Sequence, residues 1–402
     1  MKQSVNVYLH QSSTKKDVGR LVSKDRNIYF EYDKNFLATG IELSPYKLPL
    51  KSGVHLCDDK VFDGLFGVFA DSLPDGWGKL LLDRHLLSKG VEFSNITPLD
   101  RLCHIGKFGI GALSYEPKEG DTLHLSDTIV LDDIANSSTQ ILQGSSSDMI
   151  EELLAMEGSS GGARPKVMLQ IDSQNNMIHG SQKLQKEYHH YMVKFPNSMD
   201  LTDTGKLEYI YSLMAKKAGI NIPNTKLLQS SNNSYFAIER FDRDKFDNRY
   251  HIHSVAGLTH SDFRVPSLDY DDLLTLTFHL TKDMQQLKEI FRVATFNLLV
   301  HNRDDHAKNF SFMLQDNSWK LSPAYDLTYS FGPGGEHSTM YMGEGKNPTI
   351  QHLETLAKKH NIKNYKQIIE EVQNAVSYFE KYAVEFELSK ESIKTLVQAL
   401  KL

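Results

Sequence analysis

The stretch that most constrains the fold runs from Met284 to Asp326, where an apolar helix, a charged nonapeptide and two short strands follow one another. Leu287, Ile290, Phe291, Ala294 and Leu298 share one side of a helix predicted over about 284–300. Val293, Phe296 and Leu299 make its other faces apolar too, so deep burial is expected. His301-Asn302-Arg303-Asp304-Asp305-His306-Ala307-Lys308-Asn309 follows at once. Phe310 to Leu314 then reads as a strand, Asp316-Asn317-Ser318 as a turn, and Trp319 to Ala324 as a second strand ending at Tyr325-Asp326-Leu327. This order of elements is expected to place Asp304, Asn309 and Asp326 near one another.

Those residue types suit phosphoryl transfer. An aspartate must orient the attacking hydroxyl and accept its proton, while an asparagine and a second aspartate hold Mg²⁺, a hard cation that prefers oxygen ligands. Asp304 and Asn309 have the Asp-x₄-Asn spacing of a protein-kinase catalytic loop, and Asp326 follows at the end of the hairpin. Lys308 is placed to bind the transferring phosphate or the leaving charge. Two other readings stand beside this one. Asp and Asn cluster in turns, where they bond their own backbone. His301, Asp304, Asp305 and His306 are also candidate ligands of a hydrolase metal, although one ion could not easily take all four from a single loop.

Upstream segments supply further candidates. Lys194 lies in the strand-like Tyr191-Met192-Val193-Lys194-Phe195 and needs a partner if buried. Glu208, on an amphipathic helix predicted from Thr204 to Ala218, is that candidate; such a pair holds the α- and β-phosphates in kinases. A snorkelling surface lysine is the alternative. Gly158 to Lys166 is a candidate phosphate cradle: Gly161, Gly162 and Ala163 expose backbone N–H groups and Arg164 and Lys166 add charge. A solvated linker explains it about as well. Glu239 and Phe241, in Glu239-Arg240-Phe241-Asp242, sit where a hinge would offer backbone bonds to adenine.

Composition narrows the class. With 45 Lys and Arg against 51 Asp and Glu, the formal charge of −6 argues against nucleic-acid binding over the whole surface. Two cysteines, Cys57 and Cys103, exclude a disulfide framework or a four-thiolate zinc site and suit a reducing cytosol. No apolar run reaches the ~20 residues of a membrane span, and Met1 to Asp17 lacks the apolar stretch of a signal peptide. A soluble, cytoplasmic protein with no membrane partner is expected. Residues 1–125 read as a small mixed domain, 148–242 as a lobe with the glycine-rich segment and hinge, and 243–402 as a mostly helical lobe. The boundary falls near the Ser-, Gln- and Gly-rich stretch Asn136 to Asp148. The connection Pro117 to Asp127 is polar, and a helix is predicted from Asp148 to Glu157.

Taken in order, Ser160-Gly161-Gly162-Ala163-Arg164-Pro165-Lys166, Val193-Lys194-Phe195-Pro196, Glu239-Arg240-Phe241-Asp242, Asp304-Asp305-His306-Ala307-Lys308-Asn309 and Pro323-Ala324-Tyr325-Asp326 resemble the successive motifs of HipA-type serine/threonine kinases. Leu73-Pro74-Asp75-Gly76 resembles the signature of that family's N-terminal domain, so the likeness spans roughly residues 1 to 390. It implies an α+β fold: a bilobal protein-kinase-like core after a small N-terminal mixed α/β domain, with a mostly helical C-terminal lobe. It also implies ATP and Mg²⁺ as cofactors, with His306 among the nucleotide-binding residues. Its further implications are phosphorylation of a protein, commonly an aminoacyl-tRNA synthetase, and a HipB-type helix-turn-helix antitoxin through which the complex meets operator DNA. Ser159 or Ser160 falls at the family's autophosphorylated loop position. Other outcomes compatible with the same residues are a kinase-fold small-molecule phosphotransferase and a catalytically dead co-repressor. His301-Asn302-Arg303 departs from the His-Arg-Asp of common protein kinases, and Lys308 follows the aspartate by four residues rather than two; both fit the HipA pattern.

Overall fold

The computed structural model describes residues 3–11, 14–118, 129–144, 149–157, 161–197, 203–231 and 233–400. Three cores organise them. The first is built on a sheet ordered β4-β3-β2-β1-β5, from Ser4–Gln11 (β1), Thr14–Lys24 (β2), Asn27–Tyr32 (β3), Val54–Leu56 (β4) and Leu113–Glu116 (β5). Val5, Val7 and Leu9 alternate inward along β1 and are buried, as a strand with one dry face requires. They pack against the short helices Lys34–Leu37 (α1) and Gly67–Ala70 (α2) and against Pro98–Ile105 (α4), while Gly76–Ser88 (α3) leaves this core for the next. The start of α4 is fixed by Thr97 and Asp100, whose side chains each accept the other's backbone N–H (3.2 and 2.8 Å), with Pro98 at the first turn.

The second core lies under a five-stranded antiparallel sheet ordered β7-β6-β8-β10-β9: Lys166–Ile171 (β6), Met177–His179 (β7), His189–Lys194 (β8), Thr225–Gln229 (β9) and Ser234–Glu239 (β10). Val167, Leu169, Val193 and Tyr235 meet Leu131, Ile134 and Ile141 of Leu131–Leu142 (α5), Leu153 and Met156 of Ile150–Glu157 (α6), and Trp77 and Leu81 of α3. The stretch Asn136 to Asp148, near which a boundary is expected, contributes Ile141 to this second core. Its first half continues α5, because Leu131, Ile134, Ser138 and Ile141 recur at helical spacing and bury one face. Residues 145–148 lie outside the described residues.

The third core is the largest. Thr204–Lys217 (α7) and Met284–Leu299 (α10) are packed with Tyr270–Thr281 (α9) and with Ile350–Lys359, Tyr365–Val376, Phe379–Glu385 and Lys390–Leu400 (α11 to α14). Phe291, Ala294 and Phe296 of α10 are 0% exposed, as their apolar surroundings predicted. The hairpin after α10, Ser311–Gln315 and Ser318–Leu321, gains a third antiparallel strand, His251–Ser254, on its open edge. That strand feeds Val255–Thr259 (α8). Helix α2 crosses α8 so closely that a Cβ on Gly67 would sit 2.1 Å from the Gly257 carbonyl oxygen. Among the described residues no helix is long and apolar enough to cross a membrane.

Candidate active site

The hairpin after α10 turns back as its sequence order predicted, and Asp304, Asn309 and Asp326 all line one cleft of about 790 Å³. Lys194, Lys166, Gly161, Gly162, Ala163 and Arg164 line it from the side of β6 and β8, Glu239 and Phe241 from the end of β10, and His306 and Lys308 from the loop of Asp304. Glu208 sits one step behind. Its Oε2 accepts from Lys194 Nζ at 2.8 Å and its Oε1 from the Arg164 guanidinium at 2.8 Å. Lys194 also reaches Asp326 Oδ1 at 2.6 Å, so one ammonium ties α7 to the end of the hairpin. Ser159 and Ser160 lie outside the described residues.

The electrostatics follow from this geometry. Burial works against the Lys194 charge, but Asp326 and Glu208 outweigh it and hold the ammonium above the usual lysine range. Burial likewise disfavours the Asp326 carboxylate, and Lys194, with Lys166 and Arg164, holds it well below the usual aspartate range. Asp304 behaves oppositely. Desolvation raises its carboxyl; His306 pulls it down, and Asp326 and Asp305 add to the rise. Two neighbouring carboxylates thus differ in proton affinity, the pattern expected where one holds a proton in transit and the other stays anionic. The backbone at Asp326 is left-handed, with φ +57°, and the Asn302 amide donates to its carbonyl (3.4 Å).

The loop is held from behind by residues whose role was not legible in the sequence. Asp305 is fully buried and faces away from the cleft. It accepts from the Tyr270 hydroxyl (2.9 Å) and the Thr339 N–H (3.1 Å) and lies 3.0 Å from His337 Nδ1. A four-ligand metal built from His301, Asp304, Asp305 and His306 is therefore not formed, and among the described residues no cluster of three or more His, Cys, Asp or Glu is arranged to hold an ion. Asn309 donates to the Asp304 carbonyl (2.6 Å), and Tyr325 donates to the Lys308 carbonyl (2.7 Å) while stacking on Phe241 at 5.5 Å.

Asp75, in the motif Leu73-Pro74-Asp75-Gly76, is a second site member that the sequence does not single out. Its carboxylate pairs with Lys308 Nζ (2.6 Å) and accepts the Gly162 N–H, while Trp77 N–H donates to the Gly162 carbonyl (3.1 Å). Such a fit requires glycine on both sides. Gly162 has φ +96°, Gly76 has φ +44°, and a Cβ on Gly76 would lie 2.4 Å from the Gly162 oxygen. At the end of β10, where a hinge is expected, the Glu239 and Arg240 N–H groups are bonded to the Asn224 and His190 carbonyls (2.8 Å each). The Glu239 carboxylate is engaged by Asn224 (2.6 Å) and lies 2.8 Å from His189 Nδ1.

Comparison with known proteins places this arrangement. The family model described as the HipA-like C-terminal domain matches residues 158–379, and that of the HipA N-terminal domain matches residues 5–116. The chain is 27% identical over 152 residues to a putative kinase of Haemophilus influenzae, covering 34% of this chain and 44% of that protein. It is 23% identical over 163 residues to the serine/threonine-protein kinase toxin HipA of Shewanella oneidensis, covering 35% of each. Less than half the length of these two relatives is therefore matched. A solved complex of HipA, HipB and operator DNA from Shewanella oneidensis MR-1 superposes with a TM-score of 0.71 at 18% identity, over 98% of this chain and 95% of that one.

Proposed function

This chain belongs to the HipA family, and on that premise we propose that it is an ATP- and Mg²⁺-dependent serine/threonine protein kinase, the toxin of a toxin–antitoxin pair. The observation that carries the proposal is the convergence of Asp304, Asn309, Asp326 and Lys194 on one cleft, with Glu208 bonded behind the lysine. The donor set fits the cofactors. An amide oxygen and a carboxylate that stays ionised suit Mg²⁺, which takes one or two protein ligands and completes its shell with phosphates and water. Bound there, the metal and nucleotide supply charge neutralisation and the phosphoryl group.

The chain's own residues do the rest in this reading. Asp304 orients the substrate hydroxyl and accepts its proton; its raised carboxyl eases holding that proton. Asn309 and Asp326 hold the metal. Lys194, fixed by Glu208, faces the phosphates, and Lys166, Arg164 and the N–H groups of Gly161, Gly162 and Ala163 complete the cradle. Lys308 leaves Asp75 to meet the transferring phosphate. Since two hinge N–H groups are already bonded, adenine recognition falls to the Glu239 and Arg240 carbonyls and to Phe241, with His306 at the cleft floor.

The finer assignments rest on the family resemblance: modification of Ser159 or Ser160, an aminoacyl-tRNA synthetase as protein substrate, a HipB-type antitoxin, contact with operator DNA through it, and a cytoplasmic setting. Incubation with radiolabelled ATP and Mg²⁺ tests the activity. Label transfer to the chain or to a translation protein, abolished in Asp304→Gln, is expected. Equal transfer by Asp304→Gln, or none by the wild type with any phosphoacceptor, overturns the proposal.

A further inference from the structure

A second cavity, of about 240 Å³, adjoins the cleft, and Arg240 lines both. Its walls come from distant parts of the chain: Lys107 after α4, Met156 of α6, Lys183 after β7, His190 of β8, and the segment that carries Arg243, Asp247 and Arg249. Cations outnumber carboxylates here. Among the described residues, Lys107, Lys183, Arg240, Arg243 and Arg249 line it with one carboxylate, Asp247, and a second, Asp242, pairs with Arg240 and Arg243 behind the wall, in a chain whose total charge is −6.

Both carboxylates are already engaged. Asp242 accepts from Arg240 (2.9 and 2.7 Å), from Arg243 (3.1 Å) and from the Gly111 N–H (2.7 Å). Asp247 lies 3.0 Å from His190 Nε2. Arg249 donates to the Lys107 carbonyl (2.8 Å), and among the described residues neither it nor Lys107 nor Lys183 forms an ion pair. Crowding of like charge is felt by the buried guanidiniums. Burial, opposed by Asp242 and reinforced by Arg240 and Arg249, pushes Arg243 down to about 9. Arg249 is lowered by burial and then by Arg240. Arg240 and Arg243 also donate to the Gly109 and Gly111 carbonyls, so the cations left without a counter-charge at the cavity are Lys107, Lys183 and Arg249, and an anion held among them gains charge-assisted hydrogen bonds.

We propose that this cavity is a binding site for a small phosphate-bearing anion of about pyrophosphate size, distinct from the nucleotide cleft. The volume is that of roughly eight waters at their liquid share of about 30 Å³ each, enough for two phosphate groups and not for a folded peptide. Because Arg240 belongs to both cavities and is bonded to hinge residue Asp242, occupancy couples to the orientation of the hinge.

Inorganic pyrophosphate titrated calorimetrically into the full chain tests the assignment, with Lys107→Glu/Lys183→Glu as the discriminating variant. Neither lysine lines the nucleotide cleft, so pyrophosphate entering that cleft contributes equally to both proteins and cancels. Both side chains are exposed, so the fold should persist, and the milder Lys107→Gln/Lys183→Gln serves should the first variant not fold. Expected is a wild-type binding event, strongly weakened by salt, whose affinity falls at least about tenfold in the variant. The same charge change on the far lobe, Lys363→Glu/Lys366→Glu, should leave it intact. Equal affinity in wild type and variant, no wild-type binding at millimolar pyrophosphate, or an equal loss in the far-lobe control overturns the proposal.

Discussion

His251 offers a perturbation whose size can be worked out in advance. It is 4% exposed, on the strand that edges the Ser311–Leu321 hairpin, with Nε2 2.9 Å from the Leu43 carbonyl of the first core. The neutral ring donates from Nε2. Trp319 lies edge-on at 5.7 Å, and His253 lies 6.2 Å away. Burial, then His253, lower its pKa from 6.5 to about 4, against the Leu43 bond and Asp71. The folded state therefore binds this proton less readily than the unfolded state, so the ring's contribution is present above pH 6.5 and is lost as pH falls toward 4. Linkage gives about 2 kcal/mol lost by pH 5 and about 3 kcal/mol by pH 4, a large share of the ~5–15 kcal/mol typical of a domain. The loss should appear first as undocking of the N-terminal sheet domain, since His251 joins the two parts. Urea unfolding at pH 7 and pH 5 of wild type and His251→Gln measures it. The variant is less stable at pH 7 through lost packing, yet should lose about 2 kcal/mol less between the two pH values. Other depressed histidines, His10, His190 and His260, act equally in both proteins and cancel. An identical pH dependence in the two proteins would refute the reasoning.

Three further outcomes are expected. Lys194→Met strips Asp326 of its ion-pair partner while Glu208 keeps Arg164, so thermal unfolding should show a loss of about 3 kcal/mol, and calorimetry should show weakened ATP binding. Asp305→Asn turns an amide toward groups that now donate to a carboxylate; a loss of about 3 kcal/mol in denaturant unfolding, with a slower phosphotransfer rate, is anticipated. Gly76→Ala drives a methyl into the Gly162 carbonyl and should cut phosphotransfer roughly tenfold or more in a steady-state assay while leaving the melting temperature of the helical lobe unchanged.

The sequence revealed elements with strong local periodicity and missed contacts that join distant segments. Helix α10 was legible because its apolar residues exceed one face, and the Asp304–Asn309 spacing placed both residues in the cleft. The pairing of Lys194 with Glu208 followed from the cost of a lone buried ammonium. By contrast, His251–Ser254 is a strand of four residues, two of them histidines, whose partner lies about sixty positions onward. Nothing local marks it. Helix α5 was hidden by Asn136 and Gln140 on its outer face and by Ser138 on its buried one. Asp75 had a recognisable motif, yet its contact with Lys308 spans 233 residues and no pattern along the chain encodes such a distance. Asp305 reads like Asp304 by composition; only the fold turns one to the cleft and the other to Tyr270.

Trp77 and Leu81 belong by sequence to the first domain and by packing to the second core. On a ribosome this sets an order of events. These side chains emerge long before Leu153 and Met156 of α6, the helix that packs on α3, have been joined to the growing polypeptide. For about seventy rounds of elongation an indole and a leucine must be shielded by something other than their native neighbours, which makes the nascent chain a natural client for a holding chaperone and a poor candidate for being split into two separately synthesised pieces.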